Sequence, residues 1–244
     1  MLSKNQIKLI KSLGQKKYRQ QLNLFTVEGI KGINEFLKSN YKLQTLFTTA
    51  SVFETESHLV QDITEVELKK ITALKNPNTA LAIFEMPQQR LPSNKGLKIA
   101  LDAIRDPGNL GTIIRLCDWY GVQDLICSTT TVDCYNTKVV QATMGSLTRV
   151  NVTYLSLESY LETTKLPVFG TFMDGETIYT SNLPEEGVIV LGNEANGISK
   201  SVEDLVRRKI TIPQFGKSAT TESLNVANAG AIVLSEFRRR SIEK

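Results

Sequence analysis

Pro107-Gly108-Asn109-Leu110-Gly111-Thr112-Ile113-Ile114-Arg115 follows the short apolar run Lys98–Leu101, and this step from strand to glycine-rich helix start decides the fold class. The step recurs twice. Gly192-Asn193-Glu194-Ala195-Asn196-Gly197 follows Val188–Leu191, and Glu222-Ser223-Leu224-Asn225-Val226-Ala227 follows Lys209–Ile212 across a polar loop. In an open α/β sheet, ligands bind beyond the carboxyl ends of the strands, so three such loops predict one shared small-molecule site. Each brings a polar or charged group capable of chemistry: Asn109 and Arg115, Glu194, and Ser223 with Asn225.

Around these loops, strand and helix signals alternate. Lys98–Leu101 precedes a helix from about Asn109 to Trp119. Asp124–Cys127 precedes a helix around Thr137–Leu147, and Val150–Tyr154 a short helix near Leu157–Leu161. Strands at Val168–Phe172 and Val188–Leu191, a helix near Val202–Arg207, the strand Lys209–Ile212 and a final helix from about Ser223 to Arg240 complete the series. This alternation predicts a mostly parallel sheet covered on both faces. Upstream, Ile7, Leu9, Ile10 and Leu13 recur at helical spacing until Gly14. Phe25–Val27, Leu43–Thr48 and Ala80–Phe84 are strand candidates, Glu28–Lys38 is a helix, and Thr64 with Glu67 forms a capping box opening a helix to about Leu74. The polar, proline-containing stretch Met86–Gly96 is the best linker. The expected domains are therefore 1–92, a small α/β unit, and 97–244.

At 244 residues and 41% hydrophobic, the chain can bury a sizeable core. It has no run near the ~18–20 apolar residues of a membrane span and no signal-peptide core at its start, so a cytoplasmic location is expected. Cys117, Cys127 and Cys134 are odd in number and lack metal-ligand spacing, which predicts free buried thiols and no metal. Asn151-Val152-Thr153 matches a glycosylation acceptor by accident. Residues 1–45 hold nine basic residues against Glu28 and Glu35, leaving the remainder net negative by three. That asymmetry predicts a polyanion partner for Lys4, Lys8, Lys11, Lys16, Lys17 and Arg19; a solvated helix face is the competing reading.

Absences narrow the chemistry. There is no G-x-G-x-x-G, and Gly216-Lys217-Ser218 fails as a phosphate loop because Thr211 stands where the first glycine belongs. His58, the only histidine, precedes the larger domain, which therefore lacks a histidine base, a Ser-His-Asp triad and a histidine metal ligand. Arg115 must leave a largely apolar helix; it either pairs with a carboxylate such as Asp118 or offers its fork of donors to phosphate or ribose. Glu194 either caps the next helix or approaches a ligand between flanking glycines. Ser223 either caps the last helix or lines the site.

Taken together, the motifs resemble those of the SpoU (TrmH-like) RNA ribose 2′-O-methyltransferases of the SPOUT superfamily: Asn109-Leu-Gly-Thr-Ile-Ile-Arg115, Gly192-Asn-Glu-Ala-Asn-Gly-Ile-Ser199 and Ser223-Leu-Asn-Val-Ala-Asn-Ala229, over roughly residues 97–240. The first 90 residues, with Phe25-Thr-Val-Glu-Gly-Ile, are similar to a small RNA-binding domain related to a ribosomal-protein fold. The resemblance implies a C-terminal trefoil knot, against the rule of unknotted chains, and a homodimer whose site uses both subunits. It implies S-adenosylmethionine as cofactor, held by Gly192, Asn193, Glu194, Gly197, Ile212, Pro213, Ser223 and Leu224. It also implies a catalytic set of Asn109, Arg115, Glu194, Ser223 and Asn225 acting on structured RNA, ribosomal rather than transfer RNA. Because a guanidinium keeps its proton above pH ~12, Arg115 is expected to anchor RNA and polarise, with Asn109 helping to fix it. Two departures stand out. The loop Gln214–Glu222 is longer than the family's common form, and Asn228 puts a polar group where the last helix packs. The alternative to an enzyme is a non-catalytic RNA-binding or ribosome-assembly protein on the same scaffold.

Overall fold

The computed structural model describes residues 1–216 and 223–242, the last three by backbone only. The chain forms two compact units, Met1–Gln88 with Asp133–Thr148, and Gln89–Val132 with Arg149 onward. The division is thus not one cut in the linker, since a segment from the middle of the chain packs with the first unit.

In the first unit, α1 (Lys4–Ser12) is opened by a capping box between Ser3 and Gln6. A second helix, α2 (Lys16–Leu22), ends at Asn23 in the left-handed conformation. Then follow β1 (Leu24–Glu28), α3 (Ile30–Leu37), β2 (Leu43–Thr48), β3 (Val60–Asp62), α4 (Glu65–Ile71) and β4 (Ala80–Glu85). Thr64 and Glu67 make the expected capping box of α4. The sheet order is β1-β4-β2-β3, antiparallel except for β2 beside β3. The edge strand β1 receives a later helix, α6 (Thr137–Thr143), from the inserted segment, and the Tyr135 ring packs tilted against Phe25, centroids 4.7 Å apart.

The second unit holds one six-stranded sheet, order β10-β8-β9-β5-β6-β7, in which every adjacent pair is parallel. Its elements are β5 (Leu97–Leu101), α5 (Pro107–Trp119), β6 (Asp124–Ser128), β7 (Asn151–Leu155), α7 (Leu157–Thr163), β8 (Val168–Thr177), β9 (Gly187–Leu191), α8 (Lys200–Glu203), β10 (Arg208–Thr211) and α9 (Val226–Ile242). β5 and β9 are buried along their whole length, as central parallel strands with both faces covered must be. They lie side by side although the chain between them runs out through β6 and β7 and returns through β8. Their carboxyl ends therefore flank a topological switch point. α8 is one turn, shorter than the expected Val202–Arg207 helix, because Arg207 already hydrogen-bonds to Val168 at the sheet.

Within Met86–Gly96, the expected linker, the stretch from Arg90 to Ser93 is packed rather than loose. Arg90 O accepts from Thr153 Oγ1 at 2.8 Å, and Ser93 gives both its N–H and its hydroxyl to Asp124. All three cysteines are buried and none is part of a disulfide. Among the described residues no helix is long and apolar enough to cross a membrane.

Candidate active site

α5 begins abruptly because Asp106 caps it, accepting from Asn109 N at 2.8 Å, and Pro107 supplies a preset first residue. This cap fixes Asn109 in the first turn, just beyond the end of β5. α9 begins with Asn225, whose Oδ1 accepts from Ala227 N and Asn228 N. Capping of α9 thus falls on Asn225, and Ser223 is freed from that role. Between them, the loop after β9 folds back on itself through reciprocal backbone bonds of Asn193 and Gly197. A Cβ on Gly192 would stand 2.2 Å from the Gly197 carbonyl carbon, so only glycine permits this crossing.

The three segments meet. Asn225 Nδ2 donates to Asn109 Oδ1 at 2.9 Å, and Asn109 Nδ2 donates to Glu194 Oε1 at 2.9 Å. Asn193 locks the arrangement from beneath, its Nδ2 donating to Ala103 O at 2.6 Å while its Oδ1 accepts from Ala195 N and Asn196 N. Ala103 itself has φ +58°, a strained backbone for a side-chain-bearing residue. Such strain is typical of functional sites. Glu194 therefore accepts from Asn109 on Oε1 and, at 3.5 Å, from Arg105 N and Asn193 Nδ2 on Oε2, and caps no helix.

Beside this chain of bonds lies a cleft of about 600 Å³, within the range of small-molecule sites. All eight residues expected to hold the cofactor line it: Gly192, Asn193, Glu194, Gly197, Ile212, Pro213, Ser223 and Leu224. Sequence reasoning missed Thr171, Phe172 and Met173 on its wall; their place at the exposed half of β8 was the available signal. It also missed Asp102, a buried carboxylate at the end of β5 that accepts from Ser199 N at 2.7 Å and ties the two central loops together.

Two of the expected residues lie elsewhere. Arg115 is exposed, six residues beyond Asn109, and has no partner among the described residues. Its alternative role, an ion pair with Asp118, is not realised, because Asp118 is held by Arg149 at 2.9 Å. Nor does Asn109 fix Arg115, since the Asn109 amide is bonded to Glu194 and Asn225. Arg19 does not belong with the RNA-facing lysines. It is 2% exposed, pairs with Asp133 at 2.6 Å and donates to Leu13 O, while Lys4, Lys8, Lys11, Lys16 and Lys17 are exposed. Asn228 points to solvent rather than into the α9 packing face. Of the long loop 214–222, residues 217–222 lie outside the described residues.

The residues present suit S-adenosylmethionine. The cleft walls are mainly apolar, as an adenine ring requires, and the one charged side chain among the described lining residues, Glu194, is anionic, as a sulfonium cation requires.

Comparison with known proteins agrees with this geometry. The SpoU rRNA methylase family model matches residues 96–235, and a model of an MRM3-like substrate-binding domain matches residues 4–82. The chain is 29% identical to the 23S rRNA (guanosine(2553)-2′-O)-methyltransferase of Bacillus subtilis over 97% of both chains. A solved structure assigned to the TrmH family of RNA methyltransferases, from Porphyromonas gingivalis, superposes with TM-score 0.91 and 40% identity, covering 98% of this chain and 99% of that one. An AdoMet-bound rRNA methyltransferase from Sinorhizobium meliloti superposes with TM-score 0.86 and 30% identity, covering 98% and 96%. Fold and site thus define a methyltransferase that uses S-adenosylmethionine to modify ribose in RNA. The chain belongs to the SpoU rRNA methylase family.

Proposed function

We propose that this enzyme methylates the 2′-hydroxyl of one nucleotide in large-subunit ribosomal RNA, at the cleft between Gly192 and Leu224. The observation that carries the proposal is the Asn225–Asn109–Glu194 chain, which joins all three sequence motifs beside a cleft lined by every expected cofactor residue. Relatives that act on 23S rRNA, spanning nearly the full chain, support ribosomal over transfer RNA.

S-adenosylmethionine, when bound, supplies an electrophilic methyl group on a positively charged sulfur. The protein's part is alignment, since bringing two reactants into line replaces a costly bimolecular encounter. Glu194, held by Asn109, places a negative charge at the cleft wall. Ser223, freed from capping, presents its hydroxyl there. Arg115 keeps its fork of donors for the RNA, anchoring phosphate and stabilising charge that develops on the attacking oxygen. Its separation from the bonded chain supports a homodimer in which a second copy completes the site. The proposed knot draws on the placement of α9, which follows edge strand β10 in the chain and packs on α5. The exposed lysines of α1 and the start of α2 support RNA docking by the first unit, whose similarity to a ribosomal-protein fold remains part of the proposal. A cytoplasmic location follows from this substrate.

The reading is tested by supplying labelled S-adenosylmethionine with ribosomal RNA, or with transfer RNA, from a strain lacking the gene. Label in one nucleotide of 23S rRNA is expected. Label confined to transfer RNA, or none in either, would overturn it.

A further inference from the structure

A second pocket, of about 270 Å³, opens within the first unit between edge strand β1, the turn after α4 and helix α6. Thr26, Glu28, Ala73, Leu74, Lys138 and Gln141 line it. Two features set it apart from a packing defect. Thr26, 4% exposed as a residue, lines the pocket with a hydroxyl that is bonded to none of the described residues and still open to solvent. Glu28, 8% exposed, accepts from the Thr72 hydroxyl and, at 2.9 Å, from Ala73 N. A carboxylate offers about four lone-pair sites, so these bonds leave acceptor capacity at a buried group to which no cation is paired among the described residues.

A ligand that fits these groups is flat and largely apolar, with N–H donors for Glu28 and an acceptor for the Thr26 hydroxyl. The volume is below that of sites for drug-sized molecules, and suits a single ring system. Sequence-specific RNA recognition works by drawing unpaired bases out of the strand and bonding their edges. Among the four bases, guanine alone presents two adjacent donors, N1–H and N2–H, beside an acceptor, O6. Lys138 and Gln141 stand at the exposed rim, where the nucleotide's phosphate would pass.

We infer that this pocket receives an unpaired guanine of the RNA substrate, Glu28 taking its N1–H and N2–H edge and Thr26 its O6. This inference rests on the proposed methylation of RNA, and it makes the first unit a reader of sequence as well as a basic docking surface.

The test replaces guanines near the modified nucleotide one at a time by inosine, which lacks the N2 amino group, and measures KM and kcat for methyl transfer. One position should raise KM about tenfold, the scale of a lost base-edge contact, with kcat unchanged. In Glu28→Gln, KM should already be raised with guanine in place, and inosine at that position should add nothing. Thr26→Val keeps the side-chain shape and guards against a folding defect; it should raise KM severalfold while the thermal midpoint holds or increases. Normal transfer with no inosine position coupled to Glu28 would overturn the inference. A thermal shift with free guanosine monophosphate that Glu28→Gln abolishes, without such coupling, would assign the pocket to a free nucleotide and overturn it equally. Absence of all transfer in the unmodified protein would instead contradict the methyltransferase reading on which it depends.

Discussion

Asn109 does two jobs with one short side chain. Its backbone N–H completes the cap on Asp106, and its amide passes a hydrogen bond from Asn225 to Glu194. Asn109→Ala keeps the helix cap but cuts the chain, leaving Glu194 and Asn225 to drift relative to one another. Misplacement of about 1 Å costs on the order of a hundredfold in rate, so single-turnover methyl transfer should fall by about that factor. An Asn109→Ala enzyme within threefold of normal would show the chain to be incidental. Arg115 differs in kind, because none of the described residues holds it. Arg115→Lys preserves charge and loses the planar fork. Turnover should fall roughly 10²–10³-fold, as for loss of a preorganised donor, with cofactor affinity measured by calorimetry unchanged. Near-normal turnover, or lost cofactor binding, would contradict the assigned role.

At the scale of elements, the end of the parallel sheet opposite the cleft is fastened by a buried polar knot of its own. Lys98 of β5, 1% exposed, donates to Lys95 O at 2.6 Å and to Ser93 Oγ, and stands 3.7 Å from Asp124 of β6. Burial pulls the Lys98 ammonium below the usual lysine range, against the attraction of Asp124. Burial would raise the Asp124 carboxyl, but the Asn151 amide, the Ser93 hydroxyl and N–H, and Lys98 outweigh it and hold the group below the ordinary carboxylate value. A depressed carboxylate contributes stability above its unfolded value, near pH ~3.9. That contribution is lost as pH falls through the lower folded value. Asp124→Asn should therefore cost roughly 3 kcal/mol at pH 7, as when a buried pair is broken, and the deficit in denaturant unfolding should shrink below pH 4. An equal deficit at both pH values would contradict this account. These contacts also explain why Ser93 and its neighbours, which look like linker in sequence, are fixed. Long-range partners such as Asp124 and Thr153 leave no local pattern. The strands of the second unit were legible because parallel, doubly covered strands read as apolar runs. Strand β3 was not, since Val60-Gln61-Asp62 carries no apolar alternation and exists only by pairing with β2. Helix α2 hid for a similar reason: its composition is that of a basic surface. Asn225 was recognised through its motif, whereas its role as the α9 cap became visible only with the helix start in place.

At the scale of the whole molecule, the exposed lysines proposed to dock RNA lie on the first unit and the cleft on the second, and the basic residues of the first are not all alike. Lys4, Lys8, Lys11, Lys16 and Lys17 are exposed and carry no burden of packing, while Arg19 is buried against Asp133. Replacing Lys8, Lys11 and Lys16 together by Gln should weaken RNA binding and flatten its dependence on salt, by a slope of about 0.7–0.9 per lost phosphate contact. The folded state should be unaffected. Arg19→Ala should do the reverse, costing about 3–5 kcal/mol of stability and leaving the salt slope of the surviving folded protein intact. Unchanged affinity in the triple variant would leave the lysines as a solvated face. The central claim, that the cleft between the three motif loops directs a methyl group to a ribose oxygen of RNA, is tested most directly by the chemical form of the product. A methylated 2′-oxygen can no longer attack the adjacent phosphodiester, so labelled RNA digested in alkali should yield its label in a single alkali-resistant dinucleotide. Label recovered in ordinary mononucleotides would place the methyl on a base and contradict the account.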